Sequence, residues 1–192
     1  FIDKTKVFDK KILNSDNKKI LNLGKKLNFF NIKRPKELSG DYISDYELIK
    51  YTITIFKKLK INADYIVYLQ PTSPVRQTKH LLKAIKIVID KNLDGAWSVS
   101  KIDKKFHPLK ILIKKNNFLK LFNNSGKKVV ARQMLSDAYI RNGVFYIFSV
   151  NQLKKQKTIY LKKTLLIDTN YKTVNIDSYK DLNYSKLLLK KD

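Results

Sequence analysis

The chain has 192 residues with 41 Lys or Arg and 16 Asp or Glu, and its formal charge at pH 7 is +25. An apolar content of 43% excludes a disordered chain and fits one globular domain. The absence of cysteine excludes disulfide scaffolds, thiolate zinc sites and cysteine nucleophiles, and it is consistent with a cytoplasmic location.

The positive charge comes almost entirely from lysine. The arginines are Arg34, Arg76, Arg132 and Arg141. Because proteins that read nucleic acid depend on Arg for two-pronged contacts to bases and phosphates, this composition argues against a nucleic-acid partner. A basic nucleic-acid-binding module stays open as the alternative from another class, and a salt titration of binding would test it. The apolar runs are too short to cross a bilayer, so no membrane partner is expected.

The first half of the chain alternates predicted strands with predicted helices. The segments are a strand at 11–14, helices at 17–27 and 44–58, a strand at 65–69, a helix at 78–90 and a strand at 96–100. Ser44 and Glu47 form a capping-box pattern at the start of one helix. The continuous apolar run at 65–69 is typical of a fully buried parallel strand. This order predicts an α/β fold with a mostly parallel sheet.

The pattern changes after His107. Short β-rich segments follow, and then a last strand and a last helix, at 109–113, 118–121, 143–148, 164–167 and 179–189. We expect residues 105–148 to form a β-rich insertion within a single domain. Ser178 is expected to cap the last helix, with Asp181 in its first turn.

The most distinctive segment is LQPTSPVR at 69–76, which follows a predicted strand at the end where open α/β sheets bind their ligands. Its polar donors and acceptors are Gln70, Thr72, Ser73 and Arg76. Neither a Walker loop nor a dinucleotide fingerprint occurs in the chain, so a bound phosphate would be held in another way. The alternative is a rigid strand-to-helix turn in which Ser73 or Thr78 caps the helix.

QPTSPVR resembles the QPTSPLR signature of the acylneuraminate cytidylyltransferases, also called CMP-sialic acid synthetases. Further matches follow the order of the family's motifs: Asn14-Ser15-Asp16, Arg34-Pro35 with Glu37-Leu38, Ser44, His107-Pro108-Leu109-Lys110, Ala131-Arg132-Gln133, Asn142-Gly143 with Tyr146, and Asn175-Ile176-Asp177. The resemblance implies a three-layer nucleotidyltransferase fold of the Rossmann-like, glycosyltransferase-A-like kind. It also implies a homodimer in which the insertion at 105–148 contributes to dimerisation and sugar binding.

The activity implied by the resemblance is transfer of CMP from CTP to the anomeric hydroxyl of a sialic-acid-like 2-keto-3-deoxy sugar acid, with release of pyrophosphate. Arg132 and Gln133, helped by Lys110, would bind the sugar carboxylate. Asp177 and Asn175 would bind Mg²⁺, and Asp177 and Arg132 would serve catalysis. The other implied substrate contacts are Gln70, Ser73, Arg76, Asn142, Ser44 and Arg34. A sister sugar nucleotidyltransferase of the same fold is the nearer alternative.

Each of these residues also has a simpler interpretation. Ser44 fits a helix cap, Asp177 a cap of the last helix, and Lys110 an ordinary exposed lysine. Asp16 fits either a capping turn or the nucleotide side of the site. His107 stands before a proline, and we expect it to form a structural turn rather than to act as an acid or base.

Two departures from the family pattern affect these expectations. The family's first strand and its basic triphosphate loop would precede Phe1, so the resemblance implies an N-terminally truncated domain. Asn175 stands where the family has a metal-binding Asp. An amide oxygen can ligate Mg²⁺ but brings no charge, so we expect weaker metal binding here.

Overall fold

A computed structural model describes residues 7–190 of the chain. Among these residues the strands are β1 (Ile12–Ser15), β2 (Phe30–Lys33), β3 (Tyr65–Tyr68), β4 (Gly95–Lys101), β5 (Leu112–Lys115), β6 (Phe118–Leu121), β7 (Tyr139–Ser149) and β8 (Thr164–Asp168). The α-helices are α1 (Lys18–Lys26), α2 (Asp45–Lys58), α3 (Thr78–Asp90), α4 (Val150–Gln156) and α5 (Tyr179–Leu189). One sheet has the strand order β3-β7-β4-β8, and two smaller sheets pair β1 with β2 and β5 with β6.

Most predicted elements are confirmed within a few residues, and α3 and α5 begin and end where the sequence predicts. Two elements were missed. The segment of β2 reads FNIK, in which apolar and polar residues alternate over only four positions, so the signal is weak. The helix α4 has seven residues and buries only Val150 and Leu153, which is too short for a periodic signal.

The described residues divide into two compact units, and the first contains 7–68, 76–96 and 146–165. Its helix α3 buries Leu81, Ala84 and Val88, which recur on one face at helical spacing. The strands β1 and β2 are parallel, with Ile12 opposite Phe30. Both strands therefore end at the same edge of their sheet, which brings Asp16 and Arg34 together.

The strand β3 differs from its prediction as a fully buried parallel strand. It pairs in antiparallel register with β7, Tyr65 opposite Ser149 and Tyr68 opposite Tyr146, and all four of its residues are half-buried. The incomplete burial has a chemical reason, since a tyrosine that packs its ring must still bring its hydroxyl to a polar partner. Tyr65 donates to the carbonyl oxygen of Leu93 at 3.3 Å.

The second unit contains residues 69–75, 97–145 and 166–190. Its core includes Val99, Leu135, Val144 and Phe145. The hairpin of β5 and β6 lies within the predicted insertion, and almost all of its residues are exposed. The strand β7 also begins within 105–148, yet it is a member of the four-stranded sheet.

Candidate functional site

The proline loop, residues 69–75, is held in place by hydrogen bonds within its turn and to neighbouring segments. The backbone N–H of Ser73 donates to the carbonyl oxygen of Gln70 at 3.0 Å, and Ile176 donates to the carbonyl of Thr72 at 2.8 Å. The Ser73 hydroxyl is fully buried and donates to the backbone carbonyl of Asn142 at 2.9 Å. Ser73 therefore joins the loop to β7, and it does not cap α3: the residue before that helix, Gln77, makes no side-chain cap bond.

The side chain of Asn142 uses all four of its hydrogen-bonding positions inside the protein. Its Oδ1 accepts from the Ser98 hydroxyl at 2.7 Å and from the N–H of Val144 at 3.2 Å. Its Nδ2 donates to Ser100 Oγ and to Thr169 Oγ1, both at 3.1 Å. A direct contact of this amide with a sugar, as the resemblance implies, would require one of these bonds to break. In this arrangement Asn142 positions the loop through its backbone carbonyl.

Gly143 allows the proline loop to approach β7 closely. Its φ is +71°, in the left-handed region that favours glycine. A Cβ at this position would collide with Ser73 Oγ and Gln70 Oε1. The Asn-Gly pair therefore has a physical role: Asn142 binds Ser73, and Gly143 leaves space for Gln70.

The predicted metal pair, Asn175 and Asp177, lies exposed beside this loop, and its members contact each other. Asn175 Nδ2 donates to the two carboxylate oxygens of Asp177 at 3.1 Å and 3.3 Å. Asn175 Oδ1 lies 3.4 Å from Ser73 Oγ. Ser178, rather than Asp177, caps α5, because its hydroxyl accepts from the N–H of Asp181.

As oriented, this pair does not fit Mg²⁺. The ion binds oxygen ligands, whereas Asn175 turns its N–H group to the Asp177 carboxylate and its oxygen toward Ser73. Among residues 7–190, no group of three or more His, Cys, Asp or Glu side chains is arranged to hold a metal ion.

The residues predicted to bind the sugar carboxylate lie on two short, exposed 3₁₀ turns of the second unit. Arg132 and Gln133 belong to Arg132–Met134, and Lys110 ends Pro108–Lys110. Arg132 is well exposed and lies 4.0 Å from Asp103, a weak surface pair. Convergence of the three side chains on one ligand stays a prediction.

His107 has the structural role expected of it. The side chain is buried, and its Nδ1 accepts a hydrogen bond from the N–H of Leu109 at 3.2 Å. This bond caps the turn that ends at Lys110.

Within the first unit, Arg34 stands at the end of β2 and extends toward Asp16 at the end of β1. Their side chains are 3.7 Å apart. The Nε atom of Arg34 is buried and has no hydrogen-bond acceptor among the described residues. A buried guanidinium donor without an acceptor is costly, so this N–H is available to an oxygen of a ligand or of water. Arg76, another predicted contact, is half-buried just before α3.

The helix α2 begins with the predicted capping box. Ser44 Oγ accepts from the N–H of Glu47 and donates to its carboxylate at 2.8 Å. The backbone N–H of Ser44 donates to the same oxygen at 2.9 Å, and these bonds hold the pKa of Glu47 below its ordinary value. Ser44 is therefore engaged as a helix cap, and its predicted substrate contact stays a prediction.

Sequence reasoning missed the bond between Tyr68 and Asp45. The Tyr68 hydroxyl donates to Asp45 Oδ1 at 3.0 Å and joins the end of β3 to the first turn of α2. Burial, and then the Asp45 carboxylate, raise the pKa of Tyr68. It also missed Ser98 and Ser100 as partners of Asn142, although two serines at alternate positions of a strand indicate a shared polar face.

Comparison with known proteins supports the fold class and the motif resemblance that the sequence indicates. No protein-family model matches the chain. The solved structure of CMP:2-keto-3-deoxy-manno-octonic acid synthetase complexed with CTP matches 95% of this chain and 81% of its own, with a TM-score of 0.61 and 13% identity. The chain therefore shares the fold of that synthetase, a mixed α/β fold with parallel sheet elements, and the predicted fold class is confirmed.

Curated relatives make the comparison more specific. An N-acylneuraminate cytidylyltransferase of Streptococcus agalactiae serotype V is 24% identical over 133 residues, 69% of this chain. The N-acylneuraminate cytidylyltransferase of Escherichia coli O18:K1:H7 is 31% identical over 85 residues, 43% of this chain. The pseudaminic acid cytidylyltransferase of Campylobacter jejuni is 23% identical over 96% of the chain and 79% of that protein.

The motif resemblance is therefore confirmed, because the chain is similar in sequence to proteins named N-acylneuraminate cytidylyltransferase and pseudaminic acid cytidylyltransferase. The matched region is 31% of the length of the streptococcal protein and 19% of the Escherichia coli protein. Among residues 7–190, no helix is both long enough and apolar enough to span a membrane.

Proposed function

We propose that this protein transfers CMP from CTP to the anomeric hydroxyl of a sialic-acid-like 2-keto-3-deoxy sugar acid. The anomeric hydroxyl gives its proton to the solvent as its oxygen attacks the α-phosphorus, the bond from that phosphorus to the bridging oxygen breaks, and pyrophosphate leaves. The observation that carries the proposal is the anchored proline loop, in which Ser73 bonds Asn142 and packs against Gly143. The named relatives are the second support, because all act on acidic sugars of this kind by their names.

Gln70 and Arg132 are the proposed sugar-binding residues. The half-buried Gln70 begins the turn of the proline loop, and its side-chain amide lies against Gly143, where we expect it to contact sugar hydroxyls. The exposed guanidinium of Arg132, with Gln133 next to it and Lys110 on the other turn, suits a planar carboxylate. Ser73 and Asn142 then act as positioning residues.

The nucleotide side is proposed to use Arg34, with Arg76 and Ser44 as further contacts. Arg34 has a buried Nε with no acceptor among the described residues, and Asp16 orients the same guanidinium. A phosphate or base oxygen would complete its hydrogen bonds. A charged group prepared in this way can stabilise negative charge as it shifts toward the leaving pyrophosphate.

The proposal is tested by pyrophosphate release with CTP and a panel of sialic, legionaminic, pseudaminic and ketodeoxyoctonic acids, using the protein expressed from its full reading frame. We expect Arg132→Ala to raise the KM for the sugar at least tenfold and to leave the affinity for CTP nearly unchanged, because only the sugar carries the carboxylate.

Lys128→Ala is the matched control, since it removes one exposed positive charge from the same segment. Equal losses of sugar and CTP affinity in Arg132→Ala would show that the carboxylate assignment is wrong. Release of pyrophosphate only with the phosphate ester of an uncharged sugar would instead favour the alternative, a sister sugar nucleotidyltransferase of the same fold.

We also propose that the protein acts as a homodimer in the cytoplasm, where CTP is available. The support for a dimer is the hairpin of β5 and β6, whose apolar side chains are largely exposed, Phe118 at 72% and Leu119 at 75%. An isolated two-stranded hairpin is marginally stable in water, so a covering partner would stabilise it.

A further inference from the structure

We propose that Thr169, which directly follows β8, is a positioning residue for the sugar site and acts on it through Asn142 and Ser73. The inference rests on the proposed function only in assigning Gln70 to the sugar. Thr169 lies outside every motif that carries the family resemblance. All four residues belong to the second unit.

The Thr169 hydroxyl is fully buried, and both of its hydrogen-bonding roles are in use. The backbone N–H and the hydroxyl of Thr169 both donate to the carbonyl oxygen of Val99, at 3.1 Å and 3.2 Å. Because the hydroxyl proton is used in this way, the lone pairs of Oγ1 are left to accept from Asn142 Nδ2 at 3.1 Å. Thr169 therefore presents an acceptor to the Asn142 amide.

A backbone donor fixes the orientation of the Asn142 amide. The N–H of Val144 can only donate, and it bonds Asn142 Oδ1 at 3.2 Å, so Nδ2 lies on the side of Thr169. The other amide proton is bonded to Ser100 Oγ, and that hydroxyl pairs with Thr173 at 3.2 Å. Both amide protons thus lead to the segment after β8, one directly and one through Ser100.

The amide in turn sets the direction of the Asn142 backbone carbonyl. A bond from an Asn side-chain oxygen to the N–H two residues on is an Asx-turn, and it holds the backbone between them. The residue between them is Gly143, whose φ is +71°. Held in this way, the carbonyl of Asn142 accepts from the Ser73 hydroxyl at 2.9 Å. Gln70 depends on this anchor, since its Oε1 lies where a Cβ on Gly143 would collide with it.

Loss of the Thr169 hydroxyl should weaken the sugar site and spare the nucleotide side. Thr169→Val keeps the shape of the side chain but leaves a buried N–H of Asn142 without an acceptor, which is costly. Turning the amide to relieve this cost breaks the Asx-turn. We expect the KM for the panel sugar that supports pyrophosphate release to rise about fivefold or more, with the KM for CTP nearly unchanged. Thr169→Ser keeps the hydroxyl and should stay close to wild type.

Two further variants separate this path from a general loss of packing. Thr164→Val is the matched control, because it removes a hydroxyl that donates to the carbonyl of Leu161 in the first unit, and it should leave both KM values unchanged. Ser100→Ala removes the acceptor of the other amide proton at a half-buried position and should raise the sugar KM by a smaller factor. An unchanged sugar KM in both Thr169→Val and Ser100→Ala, or an equal rise in Thr164→Val, would overturn the proposal.

A double-mutant cycle tests whether Thr169 acts through Ser73. Ser73→Ala removes the bond to the Asn142 carbonyl and should itself raise the sugar KM. If Thr169 acts along this path, Thr169→Val should add little further change in the Ser73→Ala protein. Effects of the two changes that simply multiply would show that Thr169 acts elsewhere, and the proposal would be wrong.

A second measurement needs neither CTP nor sugar. Backbone hydrogen exchange is followed by mass spectrometry in the proline loop, where the Ser73 N–H is bonded to the Gln70 carbonyl, and in α3. We expect Thr169→Val to speed exchange in the loop about fivefold and to leave α3 unchanged, and Thr164→Val to change neither. Unchanged exchange in the loop, or equal acceleration in α3, would refute the positioning role. A failure of CMP transfer with the expected exchange results would count only against the proposed function.

Discussion

At the scale of single residues, a position that lacks a side chain determines the geometry of the proline loop. Gly143 has a left-handed backbone and faces Ser73 and Gln70 without a Cβ. We expect Gly143→Ala to lower the free energy of unfolding by about 1–2 kcal/mol from the backbone conformation alone. It should also raise the KM for the sugar, because the added Cβ displaces Gln70. Chemical denaturation and steady-state kinetics measure the two effects.

Gly40→Ala is the matched control, because a Cβ at Gly40 meets no atom within 4 Å and the backbone there is not left-handed. If both variants lost the same free energy of unfolding, the importance of the close approach between the proline loop and β7 would be contradicted.

Residue roles were predictable where a motif carries them and not where they depend on contacts distant in sequence. The resemblance selects Ser73 and Asn142, but it does not indicate that Ser73 is fully buried or that Asn142 is saturated by hydrogen bonds. Those facts depend on Ser98, Ser100 and Thr169, which come together only when the strands pair. The hydrogen bond between Tyr68 and Asp45 was unpredictable for the same reason, since 23 residues separate the two in the chain.

At the scale of elements, the start of α2 was predictable from Ser44 and Glu47, because a capping box acts within one helical turn. The antiparallel pairing of β3 was not, because an apolar run carries no information on the direction of its neighbour. The same limit applies to β2, whose pairing with β1 joins Asp16 to Arg34.

The capping box of α2 gives a pH-dependent prediction. The backbone and hydroxyl of Ser44 lower the pKa of Glu47 from its ordinary value of 4.5. A lowered folded-state pKa contributes stability that is present above pH 4.5 and is lost as the pH falls through the folded-state value. Wild type should therefore be more stable than Glu47→Gln near neutral pH, and the difference should shrink below pH 4.5.

The measurement is urea unfolding of both proteins across this pH range. Glu37→Gln removes the same charge outside α2 and controls for net charge. A difference between wild type and Glu47→Gln that stayed constant down to pH 3, which is about one unit below the ordinary carboxylate range, would show that the carboxylate does not act through the cap.

At the scale of the whole molecule, the charge of +25 and the exposed hairpin act in opposite directions on assembly. Strong like charge repels copies of one chain, whereas exposed apolar side chains favour association. On β5 and β6 the register places Lys114 opposite Leu119 and Lys115 opposite Phe118, so lysines lie among the apolar residues on both faces. Lysine stems can cover apolar surface while their charges stay in water, so this pattern still permits a dimer.

We therefore expect sedimentation at micromolar concentration and physiological salt to give twice the 22.6 kDa of one chain. Lower salt should weaken the dimer, because the repulsion between copies is then less screened. Leu119→Lys should yield folded monomers, since this side chain is 75% exposed and contributes little to the core of one chain. Ile89→Lys, at an apolar position of α3 that is 58% exposed, makes the same change outside the hairpin and should leave the mass at two chains. A wild-type mass of one chain, or equal dissociation by both variants, would contradict a dimer formed through the insertion.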